Sequence, residues 1–181
     1  IVNDFAYSDV YFDGPRPPSL LQSDKELTNS VELYSLTKGY SMAGWRVGFA
    51  IGNKEAIQAL TKLKSYIDYG TFQPIQIAST VAINDLDEYP LEVSDIYRER
   101  RILVTESLES LGFDVYQSNA TMFVWAKIPL ASKKTSMDFS LAVLEKSNVA
   151  ISPGIGFGSE GEGHIRIALV ENKQRIRQAM K

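Results

Sequence analysis

Between Val31 and Asp85 the hydrophobic period changes from two to about 3.6, and this constrains the fold more than any other feature of the chain. "VELYSLTK" and "GWRVGFAIG" are short, β-branched and aromatic, the pattern of strands. They are followed by "NKEAIQALTKLKSYI", in which Ile57, Leu60, Lys64 and Ile67 share one helical face and Asn53 stands at the N-cap position. "PIQIASTVAIND" is a second helix, with Pro74 in its first turn. The alternation recurs downstream. "FDVYQSNATMFVWAKI" reads as two strands joined by "QSNA", "TSMDFSLAVLEKSN" as a helix ending near Asn148, "HIRIALV" as a strand and "ENKQRIRQAMK" as a terminal helix. Strands alternating with helices predict an α/β chain.

The acidic stretch "DLDEYP" is read as a junction, which divides the chain into residues 1–87 and 88–181. After it, "LEVSDIYRERRILVTESLESLG" predicts a long helix closed by Gly112. The first region is expected to hold parallel-type strands, and "IVNDFAY" reads as the end of a buried strand. The second is expected to be a smaller α+β layer. The first region has too few strands to close a core alone, and the chain opens on Ile1, so a piece of something longer is expected.

Composition excludes several functions. A net charge of −3 at pH 7 offers no basic field for nucleic acid or an anionic membrane surface. No apolar run approaches the roughly 20 residues that a membrane-spanning helix needs. The chain has no cysteine and one histidine, His164, so no thiolate or His-rich metal site is expected. The missing cysteines fit a reducing compartment, and a cytoplasmic location is expected.

"YSLTKGYSMAGWRVG", Tyr34 to Gly48, places two cations, Lys38 and Arg46, in a stretch without a carboxylate. A lysine gives up its proton readily where its surroundings disfavour charge, and the neutral amine attacks aldehydes. A neighbouring arginine favours the neutral amine by like-charge repulsion, and its planar fork can hold a phosphate through two hydrogen bonds. The hydroxyls of Ser35 and Thr37 could complete a phosphate cradle. An aldehyde that carries a phosphate is pyridoxal phosphate. The plainer alternative is a solvated lysine and a surface arginine.

Two further segments bear on this choice. Pyridoxal phosphate accepts electrons while its ring nitrogen stays protonated, which a carboxylate enforces. Asp4 is placed for that, and Tyr7 could donate to the ring oxygen. Alternatively, Asp4 caps a turn and Tyr7 packs. In "GHIRIALV", Arg166 sits between Ile165 and Ile167 in an apolar strand, where it must reach water or meet an anion. A substrate carboxylate suits its fork; a structural salt bridge is the alternative.

Together, "DFAY", "SLTKGYSMAGWRVG" and "PGIGFG" followed by "HIRIAL" resemble the fold-type I, pyridoxal phosphate-dependent class I/II aminotransferases over essentially the whole chain. "KSYIDYGTFQPIQ", "MFVWAKIP" and "VENKQRIRQAMK" are similar to the bacterial glutamate–pyruvate (alanine) and LL-diaminopimelate-type subgroup. The resemblance implies the C-terminal part of that fold, with the end of the large mixed-sheet domain in 1–87 and the small α+β domain in 88–181. It implies that Lys38 bonds the cofactor and moves the substrate proton. Arg46, Ser35 and Thr37 would hold the phosphate, Asp4 the ring nitrogen, Tyr7 the ring oxygen and Arg166 the substrate carboxylate. It also implies amino-acid and 2-oxo-acid substrates, a homodimer, and further cofactor contacts upstream of this chain, without which it is expected to be inactive. Glutamate–pyruvate exchange is the expected reaction; LL-diaminopimelate or aspartate transamination and a non-catalytic sensing domain are the alternatives.

The remaining conspicuous residues are given plainer roles. Trp45 and Trp125 are expected in the core, and His164 in a surface turn. "GIGFGSEGEG" reads as a mobile loop near the substrate and "RERR" as a solvated helix face. Tyr66, Tyr69 and Thr71 are read either as reaching a partner subunit or as packing.

Overall fold

The computed structural model describes residues 1–181, which divide into two compact units, Ile1–Asp95 and Ile96–Lys181. The first unit carries a three-stranded sheet of β1 (Val2–Asp4), β2 (Val31–Ser35) and β3 (Gly48–Gly52), in the order β1-β2-β3. β1 and β2 are parallel, but β2 and β3 are antiparallel. The sheet is therefore mixed, as the family resemblance implied, where the strand pattern alone suggested parallel-type strands. The reversal is local: the chain leaves β2 into a one-turn helix, α1 (Leu36–Gly39), passes a 3-10 turn at Ala43–Trp45 and re-enters the sheet beside β2. Lys38 thus lies on a helical turn, past the end of the strand read from "VELYSLTK". β1 is an edge strand, and Ile1 and Val2 are exposed, contrary to the buried strand expected there.

Two helices follow, α2 (Lys54–Ile67) and α3 (Gln73–Asp85), close to the predicted bounds. The Asn53 side chain accepts from Ala56 N at 2.9 Å, which satisfies one orphan donor of the α2 first turn. Pro74 stands at the start of α3, where a missing N–H costs nothing. The periodicity of α2 is real, yet Leu60, Leu63 and Ile67 remain exposed in this chain.

α4 (Tyr89–Ser110) begins inside "DLDEYP", because Pro90 is tolerated in a helical first turn. It stops at Gly112, whose φ of +82° suits a residue without Cβ, and Phe113 N returns to Leu108 O at 3.1 Å. The second unit holds β4 (Asp114–Val115), β5 (Phe123–Lys127), α5 (Ser136–Ser147), β6 (Ser152–Pro153), β7 (His164–Ala168) and α6 (Lys173–Ala179). Its sheet has the order β4-β5-β7-β6, with every pair antiparallel. Strand alternation divides β5 and β7 between two faces. Val124, Ala126 and Ile165 join Val104 and Leu108 of α4 and Ile176 of α6 in a buried core with Leu169. Each large aliphatic side chain buried there contributes roughly 1.5–3 kcal/mol.

In the first unit, the loop before β2 is organised by one carboxylate. Asp24 accepts from Ser30 Oγ at 2.7 Å, Asn29 N at 2.8 Å and Thr28 N at 3.1 Å. The Ser30 hydroxyl, then the Asn29 N–H and both Thr28 donors, hold its pKa down from 3.8 to about 2, against the opposing effect of desolvation. A depressed acid stabilises the fold above its unfolded pKa and ceases to as pH falls through the folded one. Asp24→Asn should therefore flatten the loss of stability between pH 3.8 and about 2 in denaturant titrations, and an unchanged slope would contradict this account.

Candidate functional site

The register of the first sheet gathers the predicted residues of this unit. Asp4, the last residue of β1, pairs with Leu33, and Phe5 N donates to Leu33 O at 2.9 Å. β2 ends two residues later at Ser35, which pairs with Gly48, the first residue of β3. The carboxyl ends of two parallel strands and the entry to the third thus share one edge of the sheet. Ligands of open α/β sheets bind outside such carboxyl ends. Asp4, Ser35, the α1 turn with Thr37 and Lys38, and the segment from Arg46 into Gly48 all stand there.

Each of these residues has a local reason for its position. Ser35 is the N-cap of α1, and its Oγ accepts from Thr37 N at 3.2 Å. That role uses the hydroxyl as acceptor and leaves its proton to donate. Lys38 is half-buried in the turn's last residues, with its Nζ 5.2 Å from the centre of the Tyr7 ring. Asp4 Oδ1 accepts from Ala6 N at 3.3 Å, so the turn-capping alternative holds for one oxygen. Arg46 is exposed and donates to Ala43 O at 3.1 Å.

Arg46 also explains why the predicted strand "GWRVGFAIG" begins late. Its φ of +51° and ψ of +52° are left-handed, so no extended run can pass through it, and β3 starts at Gly48. Such a conformation in a residue other than glycine costs about 1–2 kcal/mol. Trp45, in the 3-10 turn, is 49% exposed and not in the core.

Behind the α1 turn lies a network that sequence reasoning missed. Asp9, 6% exposed, accepts hydrogen bonds from the Tyr34 phenol and the Arg16 guanidinium. Burial raises the pKa of the Tyr34 phenol, and the hydrogen bond and charge of Asp9 add to the rise. Gly39, next to Lys38, lies against Asp9: a Cβ there would stand 2.8 Å from Asp9 Oδ2. The available signal was an acid inside the apolar run "YSDVYF" and a glycine directly after the lysine.

Arg166 belongs to the second unit, in β7, between Trp125 of β5 and Ser152 of β6 in register. Its flanking isoleucines lie on the opposite side of the sheet, because successive side chains alternate. The apolar neighbours that singled Arg166 out thus do not surround it. Its guanidinium lies instead over two rings, 4.2 Å from the centre of Phe123 and 4.0 Å from that of Phe157. His164 is a strand residue rather than a turn residue, and stacks on Trp125 with ring centres 5.5 Å apart. Trp125 is accordingly half-buried on this polar-aromatic face and not in the core. Tyr66 and Tyr69 are 81% and 110% exposed, which removes the packing alternative within this chain. No group of three or more His, Asp or Glu side chains gathers to hold a metal, and no helix is long and apolar enough to cross a membrane.

The sequence matches the family profile "Aminotransferase class I and II" over residues 1–181. The chain belongs to the class I and II aminotransferases. AatC of Rhizobium meliloti (strain 1021), an aminotransferase by name, is 49% identical to it over 180 residues, which are 99% of this chain and 44% of that protein. The glutamate-pyruvate aminotransferase AlaC of Escherichia coli (strain K12) is 42% identical over 182 residues, covering 100% of this chain and 44% of its own length. The LL-diaminopimelate aminotransferase of Natranaerobius thermophilus is 45% identical, with 99% and 46% covered. Substrate-bound BacF from Bacillus subtilis superposes with a TM-score of 0.92 at 36% identity, over 99% of this chain and 45% of BacF. This aminotransferase chain therefore spans about half the length of the relatives it matches, and its mixed α/β architecture is part of theirs. The resemblance read from "SLTKGYSMAGWRVG" and "DFAY" agrees with this membership. Pyridoxal phosphate is the cofactor of the family.

The close approach at Gly39 carries a direct test. Gly39→Ala forces the added methyl against the Asp9 carboxylate and should destabilise the protein by about 1–3 kcal/mol in urea titrations. A neutral outcome would show that the α1 turn is not held against Asp9.

Proposed function

We propose that this chain forms part of a pyridoxal phosphate-dependent aminotransferase that moves an amino group between an L-amino acid and a 2-oxo acid. The observation that carries this reading is the sheet edge, where Asp4, Ser35, Lys38 and Arg46 are brought to one place by strand register. The donor set there fits the cofactor: an amine for the aldehyde, a guanidinium and hydroxyls for the phosphate, and a carboxylate for the ring nitrogen. Pyridoxal phosphate, when bound, supplies a sink for the electrons left at the substrate α-carbon.

In this proposal the residues of the chain have distinct tasks. The Lys38 amine would hold the cofactor through its aldehyde carbon and, once freed by the incoming amino acid, would accept the proton from the substrate α-carbon and deliver it to that cofactor carbon. Its place over the Tyr7 ring supports this, since the two groups would flank the same bound molecule. The free hydroxyl proton of Ser35, the Thr37 hydroxyl and the Arg46 fork bind phosphate. The second Asp4 oxygen holds the proton on the ring nitrogen, and the Tyr7 phenol donates to the ring oxygen. Arg166 would orient the substrate carboxylate with its paired N–H groups, its guanidinium already resting against Phe123 and Phe157.

Glutamate and pyruvate are the substrate pair we favour, and 42% identity to AlaC supports it. Identity of 45% to an LL-diaminopimelate aminotransferase supports a second choice, in which that diamino acid is the donor. We further propose that residues 1–87 complete a large cofactor domain, that 88–181 form the small domain, and that the whole protein is a cytoplasmic homodimer. The exposed Tyr66 and Tyr69 are available to a second subunit.

Supplying the complete protein with glutamate and pyruvate should yield alanine; product from LL-diaminopimelate and 2-oxoglutarate alone would select the second choice. Lys38→Ala should abolish turnover with either pair, and borohydride reduction of the loaded protein should fix the cofactor mass on the peptide containing Lys38. Reduction at another lysine would refute the assignment. Arg166→Lys should raise KM about tenfold or more with a smaller fall in kcat, because the single ammonium loses one of two charge-assisted hydrogen bonds.

A further inference from the structure

Phe157, one of the two rings on Arg166, also meets Trp125 edge to face, with ring centres 5.8 Å apart. It closes a 3-10 turn, Gly154–Phe157, between β6 and β7, and is 49% exposed. Phe123, the other ring, is fixed within β5 opposite Ala168. Unlike Phe123, Phe157 is carried by a connection between strands, so its approach to Arg166 depends on what holds that loop. Gly154 and Gly161 bring the two ends of that loop together: a Cβ on Gly154 would stand 1.9 Å from Gly161 O. Beyond that crossing, a single buried side chain ties both ends. Ser136, 0% exposed in the first turn of α5, donates its backbone N–H and its hydroxyl to the Glu162 carboxylate at 2.7 and 2.9 Å. The same Ser136 Oγ accepts from Ile155 N at 3.2 Å. Both donors of Ser136 address the ionised carboxylate, and they lower its pKa.

We propose that Glu162 is a positioning residue for substrate binding: by clamping the 154–162 loop to Ser136 it holds Phe157 against the Arg166 guanidinium and so presets the fork for a carboxylate. A guanidinium held within 4.2 Å of two ring centres has fewer orientations left than a free one. Released from Phe157, the same side chain must be immobilised when substrate arrives, at the substrate's expense in affinity. The clamp touches neither cofactor nor substrate and acts through Phe157 alone.

This inference rests on Arg166 being the carboxylate ligand, and the test separates the two claims. In the complete, cofactor-loaded protein, Glu162→Ala should raise KM for both the amino acid and the 2-oxo acid about two- to tenfold, the weight of immobilising one long side chain, with kcat nearly unchanged. Propionate, a bare carboxylate, should bind more weakly by the same factor in calorimetry. Phe157→Leu should give the same KM shift, and the double variant should be no worse than Phe157→Leu alone, since the two residues act in series. Glu162→Gln, which keeps one acceptor for the Ser136 N–H, should fall between, and it replaces Glu162→Ala in the cycle if the alanine variant does not fold. Additive effects, or a fall in kcat with KM and propionate binding unmoved, would overturn the proposal. If Arg166→Lys itself leaves KM and propionate binding unchanged, the carboxylate role of Arg166 is wrong; if it raises both while the Glu162 variants do not, the clamp alone is wrong.

Discussion

β2 carries two different neighbours. It runs parallel to β1 on one side and antiparallel to β3 on the other, so Leu33 faces Asp4 in one partner and Ala50 in the other. Everything of chemical interest in the first unit follows from that double register. A shift of one residue in either pairing would turn Asp4 to the other face of the sheet, or move Gly48 away from Ser35 and Arg46 with it. The backbone hydrogen bonds are the strong constraint; the side chains at the edge inherit their places. The chain turns back through α1 and a 3-10 turn, and it meets that constraint with left-handed residues at Ser41 and Arg46. Strain in a non-glycine residue at such a place is common where surrounding structure dictates the backbone.

The second unit solves a different problem. It must keep a charged side chain in the middle of an antiparallel sheet without burying it among aliphatic groups, which would be costly. Alternation does this at no cost in packing: Ile165 enters the core while Arg166 emerges on the far face beside Trp125. There the guanidinium finds ring faces rather than a carboxylate, so its hydrogen-bonding donors are not consumed within the sheet. An arginine used for stability alone is better served by a bidentate acid.

Much of this was legible in the sequence because it is local. Helix caps such as Asn53 and the stop at Gly112 are decided by residues within one turn, and their predicted positions hold to within two residues. The Lys38 and Arg46 motif is local too, because both residues lie within one connection between adjacent strands. Trp125 was misplaced because hydrophobicity says nothing about which side of a strand meets the core, and Trp45 because its predicted strand begins only at Gly48. The Asp9 network was not legible: its members, Asp9, Arg16, Tyr34 and Gly39, come together through the folding of the segment between β1 and β2. The same holds for Ser136 and Glu162, which are separated by a helix, a strand and two tight turns.

The order of the primary structure, then, determined which chemistry was available: an amine and a guanidinium without local carboxylates, hydroxyls beside the amine, an acid at the end of a short strand and an arginine inside another. It also determined the helices, since period and caps act over a few residues. Tertiary structure decided which of these groups share a place and which face each other, because strand register and sheet order are set by hydrogen bonds between segments far apart in the chain. Arg166 shows the division: its identity is written at one position, but whether isoleucines or phenylalanines surround it depends on a sheet assembled from four separate strands.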